Sequence, residues 1–398
     1  MTTILFSAGD VSGEAHAAAL VRALRARLPE ARFVGMGGEK MRAAGVEIVV
    51  DQRELGVGGI VELIPEARRI ARAYRRMTRA LRDEQPALAV LVDSGGFNLP
   101  LAGRIRRTSR TKVLYFIPPQ LYAWRPGRLR RLVSRSDCIT VCLLLERDYY
   151  AEQGVAVEHH GHPLVDALAE ERAAAPANES ASERKLRVRR ERGLSAEGRI
   201  VGLLPGSRRT EIAYHLPLQI EAFLRLRRLS REPEGLAAAI GLAPGIEASD
   251  VRRVGGALLE QAGAAIRLVE TRDGSLFDAL DVALVKPGTV TLEATLRGCP
   301  MVVVGRVHRV SAWLARRSVR VAWVALPNLV AGRAIVPELL QEAARPETVA
   351  VALAELLEGH AREAQLAGLA EVVQALGPPG AIAAVAARVE EMLGTPRA

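Results

Sequence analysis

The feature that most constrains this chain is one alternation, repeated in two blocks. Short apolar runs fall at residues 3–6, 32–35, 87–92, 112–116 and 138–143, and again at 200–204, 236–240, 266–268, 283–285 and 301–304. Longer amphipathic stretches, such as 15–26 and 217–229, separate most of them. Short, uniformly apolar runs are strands buried on both faces, and parallel pairing needs a helical crossover between them. The pattern predicts an α/β chain with two Rossmann-like lobes. Each is a doubly wound parallel sheet with right-handed crossovers, and a ligand cleft lies between them. The lobes are placed at 1–167 and 199–345. Residues 168–198 read as a linker with a surface helix, and the basic run 185–192 as a solvated face. The tail, 346–398, is Ala/Glu/Leu-rich and helical.

Composition narrows the partners. Of 398 residues, 49% are hydrophobic, enough for full cores. The net charge of +10 favours anionic partners: nucleic acid, an acidic membrane surface or a phosphorylated substrate. Aromatics make up only 4% and do not alternate with the basic residues, so no nucleic-acid partner is expected. Cys138, Cys142 and Cys299 have no metal-like spacing and read as reduced core residues of a cytoplasmic protein. The apolar start, ending at Phe6, reads as a first strand rather than a signal peptide. No apolar stretch is read as a membrane span, so membrane contact would be peripheral.

Two segments carry most of the chemistry. In V-G-L-L-P-G-S-R-R-T-E (201–211) a strand breaks at Pro205-Gly206, and Ser207 or Thr210 can cap a helix beginning near Glu211. Backbone N–H groups and Arg208 would then meet at one point, which suits a diphosphate. An ordinary strand–helix turn is the competing reading. In A-L-V-K-P-G-T-V-T-L-E (283–293) the grammar repeats, with Gly288 in the turn and Thr289 as candidate cap. Glu293, one helical turn on, can accept hydrogen bonds from a ribose diol. Pyrophosphate on one loop and ribose on the next describe a nucleotide site at the carboxyl edge of a parallel sheet.

In the first block, Asp93 follows a buried-type strand and precedes Ser94-Gly-Gly96. It either projects into a cleft as a general base or accepts turn N–H groups. Asp10, in the loop after the first strand, can bond an acceptor, support Asp93 or cap the next helix. Ser12 and Gly13 open that helix, whose N-terminus can hold a phosphate. A glycine-rich apolar loop at 56–65 leads into a basic helix at 65–82. Ala67, Ala71, Tyr74, Met77 and Leu81 would face inward, with arginines elsewhere. This is either a solvated face or a face for an anionic bilayer. His159, His160 and His162 read as a strand end and turn, since the cysteine partners of a zinc site are missing.

These segments resemble the lipid A disaccharide synthase family, glycosyltransferases of the two-lobed GT-B architecture, which implies that the C-terminal helices of 346–398 return to the first lobe. The similarity runs in family order through S-A-G-D-V-S-G-E (7–14), F-V-G-M-G-G (33–38), V-D-S-G-G-F-N (92–98), I-P-P-Q-L-Y-A-W-R (117–125), G-H-P-L-V-D (161–166) and L-P-N-L-V-A-G-R (326–333). The chain departs from the family pattern at Gly96, at Leu144-Leu145, and at Lys286-Pro287, where Ala-Ser is usual. The resemblance implies inverting transfer from UDP-2,3-diacylglucosamine to 2,3-diacylglucosamine 1-phosphate (lipid X) at the cytoplasmic face of the inner membrane. Asp93 would be the base, with Asp10 beside it. Gly206, Ser207, Arg208, Gly288, Thr289, Glu293, Asn328 and Arg333 would bind the donor. Gly9, Ser12, Gly13, Asn98 and Trp124 would bind the acceptor. No D-x-D pair occurs, so neither metal nor cofactor is expected. Rival readings are another UDP-sugar GT-B enzyme, a UDP-sugar epimerase, or an inactive RNA- or membrane-binding protein.

Overall fold

The computed structural model describes residues 2–55, 63–124, 126–271, 274–308 and 321–394. The chain forms two compact units. The first comprises Met1–Ala169 and Leu376–Ala398; the second takes most of the chain from Glu170 to Ala375.

The first unit is built on β1 (Thr3–Ala8), β2 (Arg32–Gly37), β3 (Glu47–Asp51), β4 (Leu88–Val92), β5 (Lys112–Phe116), β6 (Cys138–Val141) and β7 (Glu158–His159). They form one parallel sheet in the order β3-β2-β1-β4-β5-β6-β7. Alternate residues of its central strands serve opposite faces, as the period of two demands. Ile4, Phe6, Leu88 and Val90 pack with Leu20 and Leu24 of the Val11–Arg27 helix and with Val385 and Val389 of the Ala381–Gly394 helix. Leu5, Ala89 and Leu91 pack with Met77 of the Leu63–Glu84 helix and Ile105 of the Gly95–Thr108 helix.

The second unit holds β8 (Arg199–Leu204), β9 (Leu236–Leu242), β10 (Ile266–Glu270), β11 (Val282–Val285), β12 (Met301–Gly305) and β13 (Glu338–Leu340), in the parallel order β10-β9-β8-β11-β12-β13. Val201, Leu203 and Leu284 pack with Phe223 of the Arg209–Leu229 helix and Leu353 of the Pro346–Leu357 helix, while Ile200, Ala283 and Val285 serve the other face.

Two strands, β3 and β13, escape the sequence pattern, and β7 shows only as the strand end read at His159. All three lie at sheet edges and are short, and most of their residues are only partly buried. An edge strand packs on fewer neighbours, so it needs fewer apolar residues and leaves a weaker signal.

The segment read as a linker needs correction. Its Ala181–Glu191 helix buries Val188 and Arg189 in the second unit. Arg189 donates to Asp281 Oδ2 at 2.8 Å and to the Ala279 carbonyl at 2.9 Å, and Lys185 reaches Asp281 Oδ1 at 2.6 Å. Asp281 also accepts the Ile200 N–H at the start of β8. The run read as solvated thus supplies two cations to a mostly buried carboxylate, a fit that spacing alone does not encode.

Two further corrections concern helices. On Leu63–Glu84, Ala67 and Ala71 are exposed, and the inward stripe is Ala73, Met77, Ala80 and Leu81, flanked by Ile70 and Tyr74. The stretch His360–Gly394 is long and apolar enough to cross a membrane by length and composition, contrary to the sequence reading. It is, however, two helices, His360–Leu376 and Ala381–Gly394, separated at Gly377-Pro378-Pro379-Gly380. Leu369 is buried in the second unit's core; Ile382, Val385, Ala386, Val389 and Met392 are buried in the first unit's. Asp166 ties down the start of the last helix, accepting the Gly380 N–H and the Ile382 N–H.

Candidate functional site

In an open parallel sheet, ligands bind outside the carboxyl ends of the strands where the strand order reverses. In the first unit that point lies between β1 and β4, whose last residues, Ala8 and Val92, are partners. The loops leaving it carry Gly9-Asp10 and Asp93-Ser94.

The conformation of Asp93 is unusual: φ is +44° at Asp93, +45° at Ser94 and +55° at Ile117, on the next strand's exit. Left-handed backbone at non-glycine residues is strained and persists only where its surroundings over-determine it. Here the Asp93 N–H donates to the Ile117 carbonyl at 3.0 Å. The Asp93 carbonyl accepts Tyr115 Oη at 2.8 Å and Asn98 Nδ2 at 3.0 Å. Burial, with Asp93 nearby, pushes the Tyr115 phenol well above its ordinary range, so it remains a donor. With its main chain clamped in this way, Asp93 has its position fixed by the fold.

Asp10 is the N-cap of the Val11–Arg27 helix. Its Oδ1 accepts the Gly13 N–H at 2.7 Å and its Oδ2 accepts Ser94 Oγ at 3.3 Å, joining the two loops. At Gly13 an added Cβ would lie 3.3 Å from that carboxylate and 3.4 Å from Val92 Cγ1, so the residue lets the helix approach β4. Ser12 and Gly9 lie partly buried on either side of this cap. Asn98 departs from its expected role. It is fully buried, donates to the carbonyls of Ser7, Val92 and Asp93, and accepts Ser7 Oγ at 2.6 Å. It clamps β1 to β4 from beneath rather than meeting an acceptor. Trp124 ends the short Leu121–Trp124 helix; its side chain, like the loop at 56–62, lies outside the described residues.

In the second unit the reversal lies between β8 and β11, whose last residues, Leu204 and Val285, are partners. The two P-G loops therefore leave adjacent strands. Thr289 is the N-cap of the Val290–Leu296 helix, as expected, but the cap expected at Ser207 or Thr210 is corrected: the N-cap of the Arg209–Leu229 helix is Arg208, and neither Arg208 nor Thr289 makes a side-chain cap bond. Glu211 takes the capping part instead. Its Oε2 accepts the Ser207 N–H at 2.9 Å, and its Oε1 accepts Arg208 Nη1 at 3.2 Å and Lys286 Nζ at 3.1 Å. Burial alone would raise its pKa, but Lys286 and Arg208 outweigh burial and hold it below the usual carboxylate range. His215, kept neutral by burial, bridges the Glu211 carbonyl at 2.7 Å and the Arg306 N–H at 3.1 Å. Gly206 and Gly288 have φ of +128° and +139°, conformations that favour glycine. Glu293 sits partly buried in the Val290–Leu296 helix.

One donor assignment needs correction. Asn328 is fully buried: its Oδ1 accepts the Ile335 and Val336 N–H groups, and its Nδ2 donates to the Val336 carbonyl and Glu338. It shapes the loop into β13 with no polar capacity left over. Arg333 lies exposed and pairs with Glu371. Of the clustered histidines, His159 ends β7, His160 pairs with Glu158 at 3.1 Å, and buried His162 meets His16 edge-on at 5.9 Å. Sequence reasoning singled out neither Tyr115 nor the Glu211 carboxylate. The only available signal was their spacing from the predicted strand ends.

Two doubly wound α/β lobes, each presenting its polar loops at a strand-order reversal, are the GT-B glycosyltransferase architecture. The Lipid-A-disaccharide synthetase family matches residues 4–379. The lipid-A-disaccharide synthase of Myxococcus xanthus is 40% identical over 98% of this chain and 97% of its own; that of Geobacter sulfurreducens is 36% identical over the same shares. Among solved structures, a calicheamicin glycosyltransferase superposes with a TM-score of 0.52 at 15% identity, covering 99% of this chain and 98% of its own. A UDP-GlcNAc 2-epimerase from Neisseria meningitidis gives 0.61 at 13%, covering 99% of each chain. Those two likenesses concern the fold alone. The chain belongs to the lipid-A-disaccharide synthetase family, and its activity is the glycosyl transfer of lipid A disaccharide synthesis.

Proposed function

We propose that the first unit binds the acceptor, 2,3-diacylglucosamine 1-phosphate, and the second the donor, UDP-2,3-diacylglucosamine. Asp93 takes the proton from the acceptor's 6-hydroxyl as that oxygen attacks the donor's anomeric carbon. The bond to the diphosphate breaks with inversion, leaving a β-1′,6-linked disaccharide 1-phosphate and UDP. Asp10, bonded to Ser94, keeps the two loops of the first unit in register. Arg208 and the N-terminus of the Arg209–Leu229 helix receive the charge developing on the diphosphate. Glu293 holds the ribose. No metal takes part in this reading, since cations of the chain itself face the diphosphate. The basic helix and the apolar segment before it hold the enzyme peripherally at the cytoplasmic face of the inner membrane.

The observation that carries this reading is the strained, fully clamped main chain of Asp93 at the β1/β4 reversal. An outlier held by three partners is a reason to assign the side chain a task. The test is product formation followed by mass spectrometry, with both lipid substrates in detergent and EDTA. The native chain is expected to give the tetra-acyl disaccharide phosphate. Asp93→Asn, folded, is expected to lose on the order of 10²–10⁴ in rate. Product at an undiminished rate from Asp93→Asn would remove the base from that position.

A further inference from the structure

The geometry points to Lys286 as a second cation for the donor's diphosphate, with Glu211 as the anion that holds it and Arg208 in place before the donor arrives. This rests on the donor-site reading above. Lys286 is the first residue after β11, so it emerges beside the β8 loop at the sheet's reversal point. Three donors converge on one carboxylate: the Ser207 N–H, the Arg208 guanidinium and the Lys286 ammonium. Those are the groups a phosphate oxygen would select, and Glu211 supplies the same chemistry from within the chain.

The β8 loop is shaped around that carboxylate. A Cβ at Gly206 would fall 2.4 Å from Glu211 Oε2. Exposure follows a useful gradient: the side chain of Glu211 is 13% exposed, that of Lys286 22% and that of Arg208 37%. The anion thus sits deepest and the cations lie outside it. One carboxylate balances only one of two cations, so the loops keep a net positive charge. Lys286 uses one ammonium proton on Glu211 and retains two donors for an incoming ligand. A small neutral residue, as Ala-Ser would place there, offers neither the charge nor the bridge between loops.

In the transfer, the acceptor oxygen bonds to the anomeric carbon, its proton goes to Asp93, and the bond from that carbon to the β-phosphate oxygen breaks. The electron pair stays with UDP, which gains a negative charge at the β-phosphate. Lys286 would offset that charge together with Arg208.

The experiment is calorimetric binding of UDP, UMP and uridine to the full-length chain and its Lys286→Ala, Lys286→Gln and Lys286→Arg variants, each checked by thermal melting. Lys286→Gln keeps a hydrogen bond to Glu211 without the charge, and stands in should the alanine variant fail to fold. The expected result is a UDP affinity lower by roughly tenfold to a hundredfold in Lys286→Ala or Lys286→Gln. UMP should lose less, uridine should be unchanged, and Lys286→Arg should recover most of the loss. An unchanged ratio of UDP to UMP affinity would overturn the inference and leave Lys286 as a structural pin, with the donor site intact. A native chain that binds no UDP would overturn the donor site itself, and the inference with it.

Discussion

At the residue scale, two charged residues of the candidate site, Asp93 on the β4 exit and Arg208 on the β8 exit, owe their placement to the strands before them. Asp93 and Arg208 each follow a strand end, and a charged residue there must face the carboxyl edge of the sheet. Partners that lie far apart in sequence were hidden: Lys286 meets Glu211 across 75 residues, and Asn98 meets Ser7 across 91. Glu146, by contrast, takes its partners from three and four residues away. It follows β6 and is 3% exposed, its carboxylate accepting the N–H groups of Cys142 and Leu143 at 3.3 and 3.2 Å. Burial pushes its carboxyl up to about 7, partly opposed by those two N–H bonds. A carboxyl raised in the folded state lets the unfolded chain lose its proton first. Its contribution is therefore complete below its ordinary 4.5 and is lost as pH rises towards 7. Glu146→Gln keeps an acceptor for both N–H groups and cannot ionise. The variant is expected to match the native chain at about pH 4, below the unfolded carboxyl's range, and to exceed it by roughly 1–3 kcal/mol at about pH 8, read by denaturant unfolding. Equal stability of the two at pH 8 would show that Glu146 ionises without penalty.

At the element scale, legibility followed burial. Strands covered on both faces are legible from their apolar runs; of the four edge strands, β10 shows at 266–268, β7 only by its end at His159, and β3 and β13 leave no signal. The Leu63–Glu84 helix lies between these cases. Its existence is plain from the sequence but its inward face is not, because Ala67 and Ala71 look the same as Ala73 and Ala80 until packing separates them. Its arginines also differ in ways composition does not reveal. Arg76 pairs with Glu54 at 2.8 Å and Arg69 donates to the Arg53 carbonyl, so both help hold the helix to its neighbours. Arg68, Arg72 and Arg79 are exposed and form no ion pair among the described residues. They are the appropriate probes of the proposed membrane contact. Each cation near an anionic surface contributes about 1 kcal/mol. Replacing all three by Ala is expected to weaken binding to phosphatidylglycerol-containing vesicles by roughly a hundredfold, leaving neutral vesicles and the melting temperature little affected. Sedimentation that does not change with the triple substitution would return this face to the solvent.

At the scale of the whole molecule, chain order and spatial order part company at the C-terminus. Tail segments that read alike in sequence belong to different cores: the Pro346–Leu357 helix packs in the second unit, and the Ala381–Gly394 helix in the first. Ile382, Val385, Ala386, Val389 and Met392 are all buried there. Burying such a side chain is worth roughly 1.5–3 kcal/mol for the larger ones, so together they rival the 5–15 kcal/mol by which a domain is stable. Arg27–Glu390 and the two N–H bonds to Asp166 add direction to that packing. The first unit is thus incomplete without a segment that arrives more than two hundred residues after its own last strand. Residues 1–169 expressed alone are expected to be insoluble or molten, and joining residues 376–394 to their end through a flexible linker is expected to restore a cooperative melt. Residues 170–375 carry both P-G loops and their own sheet, and are expected to melt cooperatively and to bind UDP without the rest. Cooperative melting of 1–169 alone would mean that the last helix only decorates the first unit. Failure of 170–375 to fold would mean that the second unit draws its stability from the first.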